Sequence, residues 1–236
     1  MMAGNPSPPT PREAGRRHES ENERQGETIN MTAFESGATK PEIQFWFEFG
    51  SNYSYLSVMR IEDLAQKRGV RIVWQPFLLG PIFQSFGWTS SPFVLQKEKG
   101  EYVWKDMARQ CRKYGIPWKM PSQFPRLGVL PLRVVLLAAE KQWVGRFARE
   151  VMLLNFSLDR DINARGEIAA ILARLGEPAD ELIEQAQSDE VKQRLRHQTE
   201  TAKAKKVFGA PTFFVRGEMF WGNDRLEDAL DFAVQG

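Results

Sequence analysis

Residues Ile43 to Phe49 alternate between two faces, with Ile43, Phe45, Phe47 and Phe49 on one and Gln44, Trp46 and Glu48 on the other, which is the period of a strand. A helix signal follows at once. Ser51 or Asn52 can cap it, Val58, Ile61 and Ala65 recur on one face, and the basic pair Lys67-Arg68 precedes a terminating Gly69. Val70 to Gln75 reads as a second strand, ended by Pro76. The chain therefore opens its ordered part with a β-α-β unit, and Ser51 stands at the first helix N-terminus.

Near the other end, Gly209-Ala210-Pro211-Thr212 opens a further strand. Thr212 to Val215 and Met219 to Trp221 flank Arg216-Gly217-Glu218 as a hairpin, and Asn223 is placed to cap a last helix carrying Leu226, Leu230 and Ala233. Between the two halves lie helical patterns around Gly100 to Tyr114, Leu132 to Phe156, Arg165 to Leu175, Ala179 to Gln187 and Asp189 to Lys205. Gly and Pro punctuate them. The expected architecture is an α/β thioredoxin-like fold with a large helical insertion between the βαβ and ββα halves. Its segments are 41–79 and 207–236 for the thioredoxin-like domain and 80–206 for the insertion. Residues 1–40, rich in Pro, Gly, Ser, Asn and Glu and without a period, read as a disordered extension, and Met31 offers an alternative translation start.

Of the 236 residues 42% are hydrophobic, enough for one sizeable core or a small domain with an insertion. The formal net charge of +2, with both signs interspersed, lacks the footprint of a nucleic-acid binder. No apolar run approaches the roughly 20 residues of a membrane span, and the N-terminal stretch lacks the apolar segment of a secretory signal, so the expected location is the cytoplasm. The single Cys111 excludes an intrachain disulfide and any Cys-x-x-Cys pair. It reads as a buried small hydrophobe in an amphipathic helix. No His or Cys spacing suits a metal.

A helix N-terminus carries unpaired N–H groups and a partial positive charge, so it stabilises an anion held there, a thiolate included. Ser51 is otherwise an ordinary cap. No Ser-His-Asp arrangement supports it as an acyl nucleophile, because His18 lies in the tail and His197 in a charged helix. If Ser51 acts, it acts as a hydrogen-bond donor. A cis bond before Pro211 turns the preceding backbone outward to pair with an extended ligand; the plainer alternative is a trans proline at a strand entry. Trp221, Gly222, Asn223 and Asp224 bring backbone N–H groups and a carboxylate to another helix start, which suits a zwitterion, with Asp224 taking its amine. By themselves they form a helix cap. Phe83, Phe86 and Trp88, with Tyr53 and Trp118, are the candidates for the wall of an aromatic pocket, or else core residues.

These motifs together resemble the 2-hydroxychromene-2-carboxylate isomerases and, more distantly, the kappa-class glutathione transferases of the DsbA-like superfamily. The resemblance runs from about Ile43 to the end of the chain. It is carried by Phe47-Glu48-Phe49-Gly50-Ser51-Asn52-Tyr53-Ser54-Tyr55-Leu56, Tyr114-Gly115-Ile116-Pro117, Lys206-Val207-Phe208-Gly209-Ala210-Pro211-Thr212 and Phe220-Trp221-Gly222-Asn223-Asp224-Arg225-Leu226. It implies a glutathione-binding enzyme, usually dimeric and so a homodimer here, acting on a small aromatic substrate in aromatic catabolism. It further implies that Ser51 donates to the glutathione sulfur, that the backbone of Ala210 before Pro211 pairs with the cysteinyl part, and that Trp221 to Asp224 hold the γ-glutamyl end. Two positions depart from the family pattern. Asn52 stands where proline often follows the serine, and Gly87-Trp88 replaces a glycine-asparagine pair that contacts glutathione. The rival functions are a kappa-like transferase or peroxidase and a non-catalytic thioredoxin-like binding module. Ser51 and Ser54 stand at the two cysteine positions of a Cys-x-x-Cys motif, which disfavours a disulfide oxidoreductase.

Overall fold

The computed structural model describes residues 40–235. The expected tail and the Met31 start lie outside the described residues, but for Lys40. A four-stranded sheet has the order β2-β1-β3-β4, built from β1 (Glu42–Phe47), β2 (Arg71–Pro76), β3 (Thr212–Val215) and β4 (Glu218–Trp221). β1 pairs parallel with β2 and antiparallel with β3, and β3 pairs antiparallel with β4. Helix α1 (Asn52–Arg68) makes the crossover between the parallel strands, and α10 (Leu226–Val234) follows β4. Eight helices intervene between β2 and β3: α2 (Leu79–Ser85), α3 (Pro92–Leu95), α4 (Lys97–Tyr114), α5 (Val129–Ala138), α6 (Val144–Phe156), α7 (Arg165–Arg174), α8 (Ala179–Ala186) and α9 (Asp189–Ala204). This is a thioredoxin-like fold with a helical insertion.

The alternating pattern of β1 correctly sorts its two faces but does not reveal that both are covered. Ile43, Phe45, Phe47 and Phe49 enter the main core with Leu56, Val58 and Ile61 of α1 and Leu226 and Leu230 of α10. Phe45 stacks on Phe213 of β3 at 5.2 Å. On the opposite face Trp46 joins Phe77, Ile82, Phe83, Val207 and Phe214 in a second cluster. Each such side chain fully withdrawn from water contributes roughly 1.5–3 kcal/mol, so β1 is the anchor of the sheet.

Two short helices, α2 and α3, occupy the stretch in which the sequence shows no helical period. Pro81 lies in the first turn of α2, where its missing N–H is of no consequence, and Pro92 occupies the start of α3 behind the Ser91 cap. The pattern from Leu132 to Phe156 divides into α5 and α6 at a turn near Lys141 that no Gly or Pro marks. Asn223 is not a side-chain cap. It begins a 3-10 turn over Asn223–Arg225, and its Oδ1 accepts instead from Ser57 Oγ at 3.1 Å and Arg60 Nη1 at 3.2 Å. In the hairpin the turn consists of Arg216 and Gly217, both at positive φ (50° and 88°), and Glu218 belongs to β4.

Candidate functional site

The turn from β1 into α1 is closed by Ser51. Its N–H donates to the Glu48 carbonyl at 3.1 Å, its Oγ accepts from Ser54 N–H at 3.2 Å, and the same Oγ donates to the Ala210 carbonyl at 3.0 Å. One hydroxyl thus caps α1 and ties it to the loop that enters β3. The Ala210–Pro211 peptide is cis, and the Ala210 N–H has no partner among the described residues. Asn52 Oδ1 accepts from Tyr53 N–H at 3.0 Å, while its Nδ2 is buried without a partner among the described residues.

The third segment is held against the first two. Trp221 pairs with Thr212, and Gly222 N–H donates to the Pro211 carbonyl at 3.0 Å. Asn223 binds α1 through Ser57 and Arg60, and Arg60 in turn pairs with Glu227 of α10 and lies over the Tyr114 ring at 3.7 Å. Gly209 has no side chain because a Cβ there would meet the Trp221 indole nitrogen at 2.5 Å. Trp221 itself packs edge-on to Phe208, with ring centroids 4.8 Å apart.

These segments border a cavity of about 600 Å³, within the range of small-molecule sites. Its wall includes Ser51, Asn52, Tyr53, Ala210 and Trp221 from the two half-domains, and Phe83, Trp88, Phe93, Lys99, Tyr102, Phe124 and Arg126 from the insertion. Gly87, at φ 77°, ends α2 and lets Trp88 fold back onto Phe83 at 5.6 Å. Tyr53 donates to Asp106 Oδ2 at 2.8 Å, and burial with that acceptor pushes its phenol well above the ordinary range. Arg126 is buried and bound to Asn155 and Asp159, and this partnership holds the Asp159 carboxyl well below the usual carboxylate range.

The cavity does not gather every residue singled out from the sequence. Trp118 is absent from the wall: it stacks on Phe156 at 6.2 Å and on Trp104 at 6.1 Å, and Trp104 meets Phe124, which does line the cavity. The aromatic core around Tyr55 and Phe156 draws it one layer back. Phe86 is also outside, half exposed against Trp88. Pro211, Gly222, Asn223 and Asp224 stand behind or beside the wall. Asp224 has a side chain 72% exposed and paired with Arg225, yet its charge is close enough to act on Tyr53. Cys111 is buried in α4, and burial pushes its thiol up to about 12, so it is chemically quiet. No group of three or more His, Cys, Asp or Glu among the described residues is arranged to hold a metal, and no described helix is long and apolar enough to cross a membrane.

Among the wall residues that carry no role in the reading from sequence is an acid. Glu48, directly after β1, is buried in the cavity wall, and burial pushes its carboxyl up to about 8. The available signal was an acid set in the aromatic run Phe45-Trp46-Phe47-Glu48-Phe49.

A 2-hydroxychromene-2-carboxylate isomerase of Pseudomonas putida is 28% identical over 184 residues, covering 78% of this chain and 90% of the relative. A glutathione S-transferase kappa 2 of Caenorhabditis elegans is 25% identical over 211 residues, covering 82% and 92%. A solved structure of a 2-hydroxychromene-2-carboxylate isomerase aligns with a TM-score of 0.72 at 26% identity, over 78% of this chain and 90% of that one. The family model of the DSBA-like thioredoxin domain matches residues 42–232, and with the sheet order and the cis-proline loop already described, the chain belongs to that family.

Proposed function

We propose that this protein is a glutathione-dependent isomerase of the 2-hydroxychromene-2-carboxylate type. The observation that carries the reading is the 3.0 Å contact of Ser51 Oγ with Ala210 O at the wall of an aromatic-lined cavity, in a chain related to proteins of that name. Glutathione lies with its sulfur at Ser51 and the α1 N-terminus. Its cysteinyl backbone pairs with Ala210 ahead of Pro211, and its γ-glutamyl end reaches Trp221, Gly222, Asn223 and the exposed carboxylate of Asp224. The small aromatic substrate sits among Tyr53, Trp88 and the insertion's other rings. Trp118 is withdrawn from this set.

A free thiol has a pKa near about 8.5, so it is mostly protonated at neutral pH; a helix N-terminus and a hydroxyl donor both favour the thiolate. The thiolate adds to the opened chromene, the new single bond allows rotation, and elimination gives the trans benzylidenepyruvate and restores glutathione. A cytoplasmic homodimer belongs to the same reading.

The kappa-class relative favours a second reading, conjugation of glutathione to an electrophile at the same site. Turnover of a hydroxychromene carboxylate with substoichiometric glutathione separates them. Isomerisation runs to equilibrium with free thiol unchanged. Conjugation stops when the thiol is spent, and that result overturns the isomerase reading.

A further inference from the structure

Glu48 has a side chain for which the fold offers no use. Its backbone carbonyl closes the turn with Ser51 at 3.1 Å, but among the described residues no hydrogen bond or neighbouring charge acts on the carboxyl group. The residue is only 8% exposed and lines the cavity together with Ser51. A Cβ on Gly50, the neighbour between them in the wall, would lie 3.7 Å from Glu48 Oε2. The carboxyl oxygens of Glu48 are not sealed in the protein as Asn52 Nδ2 and Ser54 Oγ are, so they stay open to the cavity, and an acid without a protein partner in the wall of a ligand cavity has the ligand as its natural partner.

We propose that Glu48 is a catalytic acid and base of the addition and elimination steps, exchanging one proton with the substrate ketone oxygen. This rests on the isomerase reading. When the thiolate attacks the carbon β to the ketone, the C–S bond forms and the π electrons pass to the ketone oxygen, which takes the proton of the Glu48 carboxyl. The enol rotates about its new single bond. The Glu48 carboxylate then removes the same proton, the C=C and C=O bonds re-form, and the C–S bond breaks with its electron pair returning to sulfur. Nothing is consumed. Ser51 serves the sulfur and Glu48 the oxygen at the other end of the conjugated system.

The burial that raises the Glu48 carboxyl to about 8 keeps it protonated at neutral pH, as a donor must be, and leaves it without a negative charge to repel the thiolate. The other ionisable groups in the wall are Tyr53 from α1, Lys99 and Tyr102 from α4, and Arg126 from the loop after α4. Tyr53 is engaged by Asp106 and Arg126 by Asp159. α2 and the Phe208–Ala210 loop contribute none.

The test compares wild type, Glu48→Gln and Glu48→Asp at saturating glutathione across pH 6 to 10 (about the range that brackets this titration). Expected is a wild-type kcat that falls above about pH 8 as the acid form is lost, and a Glu48→Gln kcat lower by roughly a hundredfold with no such limb. Glutathione affinity and thiolate absorbance stay unchanged, and Glu48→Asp recovers part of the rate. Equal turnover of Glu48→Gln, with the alkaline limb retained, overturns the role of Glu48 and leaves the isomerase reading standing. A wild type that binds glutathione but does not isomerise overturns that reading and this step with it. If Glu48→Gln does not fold, the wild-type profile decides: a limb near pH 8 supports the step and its absence overturns it.

Discussion

Ser51 Oγ donates to the carbonyl oxygen of Ala210 at 3.0 Å across 159 residues of sequence, while accepting from Ser54 N–H at 3.2 Å. A serine hydroxyl has one proton to give. Serving a thiolate therefore means turning that proton from Ala210 to sulfur, with the oxygen staying where the helix cap holds it.

Removing the hydroxyl separates two effects. Ser51→Ala loses the cap, about 1 kcal/mol of stability, and the charge-assisted hydrogen bond to sulfur, roughly 1.5–3 kcal/mol or on the order of 10- to 150-fold in rate. Thermal melting and turnover at saturating glutathione measure the two. Turnover unchanged from wild type contradicts the role given to Ser51.

Glu48 predicts an unusual pH dependence of stability. Its ordinary value of 4.5 rises to about 8 in the fold, so between these limits the native state binds a proton that the unfolded chain has released. Stability is then lost as pH rises through this window, by on the order of 3 kcal/mol at pH 7. Glu48→Gln should be more stable than wild type at pH 8 and gain least near pH 4, measured by urea unfolding. A pH-independent difference contradicts the burial of a neutral acid.

Gly50 lies in the cavity wall against the loop that carries Arg126. A Cβ there would lie 2.6 Å from the backbone oxygen of Arg126, whose side chain is fixed by Asn155 and Asp159, so the loop has little freedom to yield. Gly50→Ala should cost about 1–3 kcal/mol, read as a lowered Tm. An unchanged Tm means that the Phe124–Leu127 loop is softer than these contacts imply.

Asn52 is the departure whose consequence is opposite. It occupies the first position of α1, Ser51 before it is extended (φ −83°, ψ 117°) as a residue preceding proline must be, and Asn52 Nδ2 is buried without a partner among the described residues. Asn52→Pro should therefore fold, keep activity and gain up to about 1 kcal/mol, visible as a raised Tm. A loss of stability shows that the Asn52 Oδ1 contact to Tyr53 N–H matters more.

The parts of this molecule legible in its sequence are those with a local signal. The alternation in Ile43 to Phe49, the cap at Ser51 and the left-handed Gly69 directly mark the β-α-β unit, and the Arg216-Gly217 turn marks the hairpin. What escaped depends on tertiary packing. α2 begins with Leu-Gly-Pro and is fixed by the second core around Trp46 and Phe77, which no period announces. Trp118 and Trp88 are alike as tryptophans near a Gly or Pro, yet Phe156 captures one and the cavity keeps the other. The alternation puts Glu48 on the face of Gln44 and Trp46, and a strand pattern cannot tell that this second face is also covered.

The most direct measurement is the ultraviolet absorbance of thiolate in glutathione titrated onto wild type and Ser51→Ala between pH 5 and 9 (about the span that brackets a lowered thiol pKa). Wild type should bind glutathione largely as thiolate at neutral pH, and Ser51→Ala should bind it with the thiol pKa raised by roughly 1–2 units. Glutathione that does not bind, or that ionises identically in both proteins, contradicts the account.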